Sequence, residues 1–108
     1  VPGCIIRSRP IGVLKMEDEA GGDEKILAVP VDKLNPYYTD IASYRQLPTI
    51  MVEQIEHFFT RYKDLEKNKS VTVKGWGDAG EAAELIAAGM RAHQDKLKAE
   101  ASKAANAA

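Results

Sequence analysis

One cysteine, Cys4, is all that this chain of 108 residues contains. No internal disulfide can brace it, and a lone thiol suits a reducing cytosol, where it is most often a small buried hydrophobe. An excess of one charge is missing too. Fifteen Lys and Arg stand against 16 Asp and Glu, which leaves no global field to recruit nucleic acid or an anionic membrane. Seven aromatic residues make no strip of base-stacking platforms. No apolar run approaches the length of a bilayer crossing, and no basic start leads into an apolar stretch as in a secretory signal. No internal repeat shows. What is left is one domain with a modest core, expected in the cytoplasm and away from membranes and nucleic acid. The chain opens Val1-Pro2-Gly3 without an initiator methionine and reaches strand-like text almost at once, which reads as a cut inside a longer polypeptide.

Against that even background, five carboxylates crowd into the eight positions from Glu17 to Glu24, around Gly21-Gly22. Like charges so close disfavour one another's ionisation unless something cationic is present. A solvated hairpin loop needs only one or two. The glycines let the backbone curl so that Asp18 and Asp23 face one point, and carboxylate oxygens are the ligands of a hard cation, Mg²⁺ first. The alternative, on spacing alone, is an exposed acidic hairpin tip, because loops are where charge collects.

The flanking text reads as strands. Residues 4–9 alternate, as do residues 11–16, with Pro10 marking a bend or an edge position between them. Residues 26–31 form a third run, and residues 35–47 read as an ordered loop with one helical turn. Pro48 suits the first turn of a helix. Behind it Met51, Val52, Ile55, Phe58, Phe59, Tyr62 and Leu65 recur at three- and four-residue steps, a stripe for packing on the sheet, with Asn68 as the stop. Residues 70–76 alternate as a fourth strand, with Val71 and Val73 inward. Gly77-Asp78 starts a second helix, where Asp78 and Glu81 have capping-box spacing. Its stripe is Ala82, Leu85, Ile86, Met90 and Leu97. Residues 1–98 are thus one domain, and the alanine-rich residues 99–108 are a frayed tail. The order is β-β-loop-β-long loop-α-β-α: an α+β or barrel-like domain.

Three blocks resemble the soluble family I inorganic pyrophosphatases of bacterial type: Gly12 to Lys25 followed by Ala28-Val29-Pro30, His57-Phe58-Phe59 with Tyr62 to Lys67, and Val73-Lys74-Gly75-Trp76. They stand in the family's order over most of the chain. The resemblance implies an OB-like antiparallel β-barrel, incomplete here, with two helices packed outside. It implies Mg²⁺-dependent hydrolysis of pyrophosphate to two phosphates. Asp18 and Asp23 would bind metal, Asp18 being also the catalytic carboxylate, with more than one ion per site in the complete enzyme. Tyr62, Lys63 and Lys25 would bind substrate; Arg9 and Lys69 are weaker candidates for supporting charge. His57 would make a subunit contact in a homo-oligomer, a hexamer in the family. Such chemistry needs cations to neutralise a multiply charged anion, and Mg²⁺ fills its octahedron with one or two carboxylates, water and phosphate oxygens.

Alternatives accompany these roles. Glu19 and Glu24 are expected to tune the field without touching metal. Tyr62 falls on the apolar stripe and suits a core tyrosine with a wet hydroxyl, Lys63 suits a solvated helix charge, and Trp76 and Phe59 suit the core. The family's amino-terminal part, with further metal aspartates and the first barrel strands, has no counterpart here, so the isolated chain is expected to be inactive or nearly so. A second reading is an OB-like nucleic-acid-binding module resting on Arg7 and Arg9. A third is a truncated, non-catalytic fragment that still assembles through the first helix.

Overall fold

The computed structural model describes residues 2–107. Its frame is one long strand, β1 (Ser8–Asp18), where the sequence reads as two runs broken at Pro10. Residues 4–7 lie outside any strand, and Cys4 is exposed rather than buried. β1 turns back through Glu19-Ala20 into the two-residue β2 (Gly21–Gly22) and then β3 (Lys25–Pro30). One register runs through this hairpin, from Asp18↔Gly21 down to Gly12↔Leu27. It shifts between Pro10 and Gly12, leaving Ile11 as an extra residue. Proline donates nothing to a ladder, so a bulge accommodates it inside the strand and re-aims the neighbouring side chain.

After β3, residues 35–47 fold into two 3₁₀ turns, Pro36–Tyr38 and Tyr44–Gln46, where a single helical turn is expected. The first is capped by the Asn35 side chain. The second is closed by a reciprocal capping box between Ser43 and Gln46, which satisfies the free donors of so short a helix. Arg9 fastens this segment to the sheet: its guanidinium donates to the carbonyls of Ile41, Tyr38 (2.5 Å) and Thr39 (3.4 Å). That use of its donors makes Arg9 a structural strap for the loop.

Helix α1 (Thr49–Arg61) follows Pro48 and ends at Tyr62, short of the expected stop at Asn68. Leu65, the last residue of the expected stripe, is fully exposed. Asn68 instead adopts a left-handed backbone, φ 61°, and turns the chain into β4 (Val71–Asp78). β4 pairs antiparallel with the other edge of β1, from Gly12↔Asp78 to Asp18↔Val71. A second bulge leaves Lys74 unpaired, and Gly75 beside it takes φ 130°, a region that side chains strain to enter. Helix α2 runs from Ala79 to Ala107. Of the residues expected as a frayed tail, 99–107 are helical, because alanine is the best intrinsic helix former and needs no packing partner, while residue 108 lies outside the described residues. Every described residue from Gly89 onward is exposed. Glu81 does not close a box on Asp78; it pairs with Lys15 at 3.2 Å.

The core follows from this order. β1 carries Ile11, Val13, Leu14 and Met16, all 1% exposed or less. Alternation sends Val13 and Lys15 toward α2, where Ala82 is buried and Glu81 lies against Gly77. Leu14 faces Ile55 and Phe59 of α1 beside Trp76, around a groove of about 420 Å³. Ile11, Val29 and Leu47 pack with Leu27, Tyr38, Ile41 and Val52. Burial on both faces corrects the alternation expected over residues 11–16: Val13 and Leu14 point to opposite sides and both are fully buried, as in a strand covered on its two faces. Leu14→Ala should lower stability by about 2–5 kcal/mol, and Gly75→Ala by about 1–3 kcal/mol through backbone strain. The urea midpoint of each variant measures this, and an unchanged midpoint would contradict the packing or the strain.

Candidate anion and cation site at the hairpin tip

The acidic run folds as the tip of the β1–β2–β3 hairpin. Asp18 pairs with Gly21, and the amide of Asp23 donates to the carbonyl of Met16 at 2.9 Å. By this register residues 16, 18, 21 and 23 share a face, which makes Asp18 and Asp23 diagonal neighbours on the side of buried Met16. Both are largely covered, with side chains 17% and 25% exposed. Asp18 Oδ1 accepts from the amide of Ala20 at 2.8 Å, an Asx turn that fits the tight two-residue loop.

Each aspartate meets an ammonium. Lys63 Nζ lies 3.3 Å from Asp18 Oδ2, and Lys25 Nζ 2.7 Å from Asp23 Oδ1. Lys63 follows the C-terminal end of α1, 45 residues from its partner, so only the tertiary fold makes that pair. Aromatic rings join the two: Lys25 Nζ sits 5.6 Å from the ring centre of Phe59, Phe59 packs edge-on to Tyr62 at 5.4 Å, and Lys63 Nζ is 5.5 Å from the Tyr62 ring. Asp23, Lys25, Phe59, Tyr62, Lys63 and Asp18 thereby form an end-to-end circuit of contacts, open between the two aspartates, that joins the hairpin tip to the end of α1. Tyr62 is 37% exposed. Its ring packs on Phe58 and Phe59 while the residue remains partly open to solvent, an arrangement common to a packed tyrosine with a wet hydroxyl and to one at the rim of a site. Lys63, 16% exposed at its side chain, is no solvated helix charge.

The electrostatics follow the contacts. The Ala20 amide, and after it Lys63, hold the Asp18 carboxyl below its ordinary value against the opposing effect of burial. Partial burial pulls the Lys63 ammonium down, but Asp18 and Glu19 outweigh it and leave its pKa raised. Glu19 is the residue that sequence reasoning undervalues. It accepts from Lys69 at 2.9 Å and from the amide of Ser70 at 3.3 Å, and lies 4.0 Å from Lys63. Hydrogen bonding to Lys69 first, then to backbone amides, lowers its pKa from 4.5 to about 2. Lys69 is thereby raised and is a tie between hairpin tip and the start of β4. The one advance sign is that Glu19 belongs to a run too acidic to stand unpaired. Outside the circuit, Glu17 pairs with Lys74 at 2.5 Å. His57 stands apart on the outer face of α1, in a shallow groove with Ile50, Glu53, Gln54 and Phe58.

The donor types suit a hard divalent cation: two carboxylates on one face, with positive groups behind them for an anion. Among the described residues no group of three or more His, Cys, Asp or Glu comes together as a metal cluster. Two carboxylates are what Mg²⁺ accepts when water and phosphate complete its shell, so the residues fit a partial site of that kind. No described helix is long and apolar enough to cross a membrane.

The fold and the cluster define an α+β protein in which an open antiparallel sheet carries ion-paired carboxylates and lysines at one end. The family model for inorganic pyrophosphatase matches residues 1–94, and the chain belongs to that family. It is 61% identical over 95 residues to an inorganic pyrophosphatase of Caulobacter vibrioides, covering 88% of this chain and 54% of that protein. It is 55% identical to one of Pseudomonas aeruginosa, covering 86% and 53%. Among solved structures, the inorganic pyrophosphatase of Helicobacter pylori superposes with a TM-score of 0.81 at 40% identity, covering 85% and 54%. The expected α+β, OB-like class stands, here as an open sheet. The chain spans about half the length of the curated relatives it matches.

Because Glu19 is depressed on folding, its contribution to stability is complete above pH 4.5 and is lost as pH falls from there toward 2. Glu19→Gln removes that titration. The difference in urea midpoint between the parent chain and Glu19→Gln should therefore be constant above pH 4.5 and shrink toward pH 2. A difference that does not change with pH would show that the Lys69 and Ser70 bonds do not hold the carboxylate.

Proposed function

We propose that this stretch belongs to a Mg²⁺-dependent enzyme that hydrolyses inorganic pyrophosphate to two phosphates. The observation that carries the proposal is the circuit joining Asp18 and Asp23 to Lys25, Tyr62 and Lys63, in a chain of the inorganic pyrophosphatase family. Asp18 and Asp23 would hold Mg²⁺, with Asp18 nearest the chemistry. The bound metal would neutralise the anion and lower the pKa of a water to supply the nucleophile.

The chain's own residues do the rest. Lys25 and Lys63 place two point charges beside the carboxylates, where a phosphate oxygen would otherwise meet only negative groups. The Tyr62 hydroxyl adds an oriented donor at the rim of the site. Packing of the Tyr62 ring on Phe58 and Phe59 holds that hydroxyl in place. Phosphoryl transfer asks for little covalent help, so this positioning and charge stabilisation carry most of the rate.

With two carboxylates and no third ligand grouped among the described residues, we infer that this stretch by itself turns over pyrophosphate slowly or not at all. The activity belongs to a fuller set of ligands, with more than one ion per site. Replacing the matching 95-residue stretch of the Caulobacter vibrioides relative with the corresponding residues of this chain tests the reading. The chimera should release phosphate from pyrophosphate with Mg²⁺ and not with chelator. Asp18→Asn or Asp23→Asn in it should cost several orders of magnitude, and Tyr62→Phe about 1–3 kcal/mol in kcat/KM. Near-normal turnover in either aspartate variant would sink the assignment.

The outer face of α1 is proposed as the contact of a homo-oligomer, a hexamer in the complete protein. Ile50 and Phe58, 62% and 57% exposed, flank His57 there, more apolar area than a solvated helix face requires. Light scattering after size exclusion should give the mass of an assembly for the parent chimera and a smaller mass for Phe58→Glu. Equal masses would remove this face from the interface. The expected setting is the cytoplasm, with pyrophosphate and phosphate as small-molecule partners.

A further inference from the structure

We propose that Lys63 is an exchangeable place-holder: its ammonium occupies the cation's position at Asp18 until a divalent ion arrives, and is then released to bind phosphate. The inference rests on the reading of Asp18 and Asp23 as metal ligands and goes beyond it, because it makes occupation by metal the condition for phosphate binding.

Two observations carry it. The Asp18–Lys63 pair is the most covered of the ion pairs among the described residues, with side chains 17% and 16% exposed. The positive partner comes from a different element than the acidic hairpin, held there by the end of α1. A covered carboxylate left without a cation is strongly disfavoured, so a folded hairpin tip needs a positive charge whether or not metal is present. Lys63 supplies it with a single ammonium on a flexible stem, which can leave without rearranging backbone. A divalent ion at Asp18 removes the reason for the pair and adds like-charge repulsion against Lys63. The freed ammonium remains tethered beside Tyr62, 5.5 Å from its ring centre, and an anion is then its natural partner. Lys25 repeats the arrangement locally on Asp23 at 2.7 Å. Coupling of this kind is reciprocal: metal that favours phosphate is itself favoured by phosphate.

The test titrates the 108-residue chain with Mg²⁺ alone, by calorimetry, for the parent, Lys63→Met and Lys69→Met. Lys69 is the control, since it removes the same charge from the same hairpin tip while pairing with Glu19 and not with Asp18. Lys63→Met should bind Mg²⁺ about tenfold more tightly than the parent, in the range of ordinary coupling between sites. Lys69→Met should change affinity less than about fivefold, as expected of an exposed pair. Lys63→Met should also lose the Mg²⁺-dependent gain in affinity for inorganic phosphate. A second readout needs no variant. Reductive methylation of Lys63 in the parent chain, followed by mass spectrometry, should quicken when Mg²⁺ is added and slow again when phosphate follows. If Lys63→Met tightens Mg²⁺ binding no more than Lys69→Met, or if methylation is unchanged by Mg²⁺, the exchange is overturned while the metal site stands. If neither parent nor Lys63→Met binds Mg²⁺, the metal site and the exchange fall together.

Discussion

Every strand pairing in the sheet is made with β1. β2 and β3 lie along one edge of it and β4 along the other, so the ladder of this one strand is the constraint that sets all other positions. Both of its faces are covered, one by α1 and one by the first turns of α2. Its two bulges, at Ile11 against β3 and at Lys74 of β4, absorb the mismatch between straight ladders and a sheet that must wrap its helices. The bulge near Pro10 lets Ile11 reach Val29 and Leu47, and the other lets β4 continue beside the hairpin tip to Val71. Both ends of the functional region are therefore referenced to the same eleven residues.

The same strand delivers charge. β1 passes without a break from the most apolar part of the protein into its most acidic part, Met16 being buried and Glu17 and Asp18 following at once. Such a junction is stable only because the excess negative charge is met pair by pair. Glu17 finds Lys74, Asp18 finds Lys63, Glu19 finds Lys69 and the Ser70 amide, and Asp23 finds Lys25. Four of these partners, Lys63, Lys69, the Ser70 amide and Lys74, arrive from residues 63–74. The segment between α1 and β4 is thereby anchored to the hairpin tip although it has little apolar side chain to bury. The cluster thus presents both signs of charge at one surface, and the proposed metal and phosphate sites rest on that feature.

The outer edges of the sheet have no strand against them among the described residues. β3 and β4 pair only with β1, so each presents one edge without a ladder partner. The groove between β3 and α1 has the indole Nε1 of Trp76 buried without a hydrogen-bond acceptor, a costly arrangement in a finished interior. These features describe an open sheet and not a closed barrel among the described residues.

Local pattern determined a good deal. The hairpin tip between two apolar runs, the helix beginning after Pro48, the alternation of Val71 and Val73, and the identity of Asp18 and Asp23 as neighbours on one face are all legible from spacing, because they depend on residues close in the chain. The resemblance of three blocks to one family was legible for the same reason. What spacing did not reveal is where elements end and which distant groups meet. β1 is one strand because its bulge is compensated by partners on both sides. α1 stops at Arg61 because Tyr62 and Lys63 are used at the hairpin tip, and Leu65 has no core to enter. Residues 99–107 are helical because alanine favours it without any packing. Arg9 went to loop carbonyls, and Glu19 and Lys69 became a tie, since a charged group's role is set by whichever opposite charge or free carbonyl the fold brings within about 3 Å. Sequence by itself determined which residues carry charge and which apolar runs form elements; only the tertiary structure decided the pairings, because electrostatic contacts act over a few ångströms of space and not over positions along the chain.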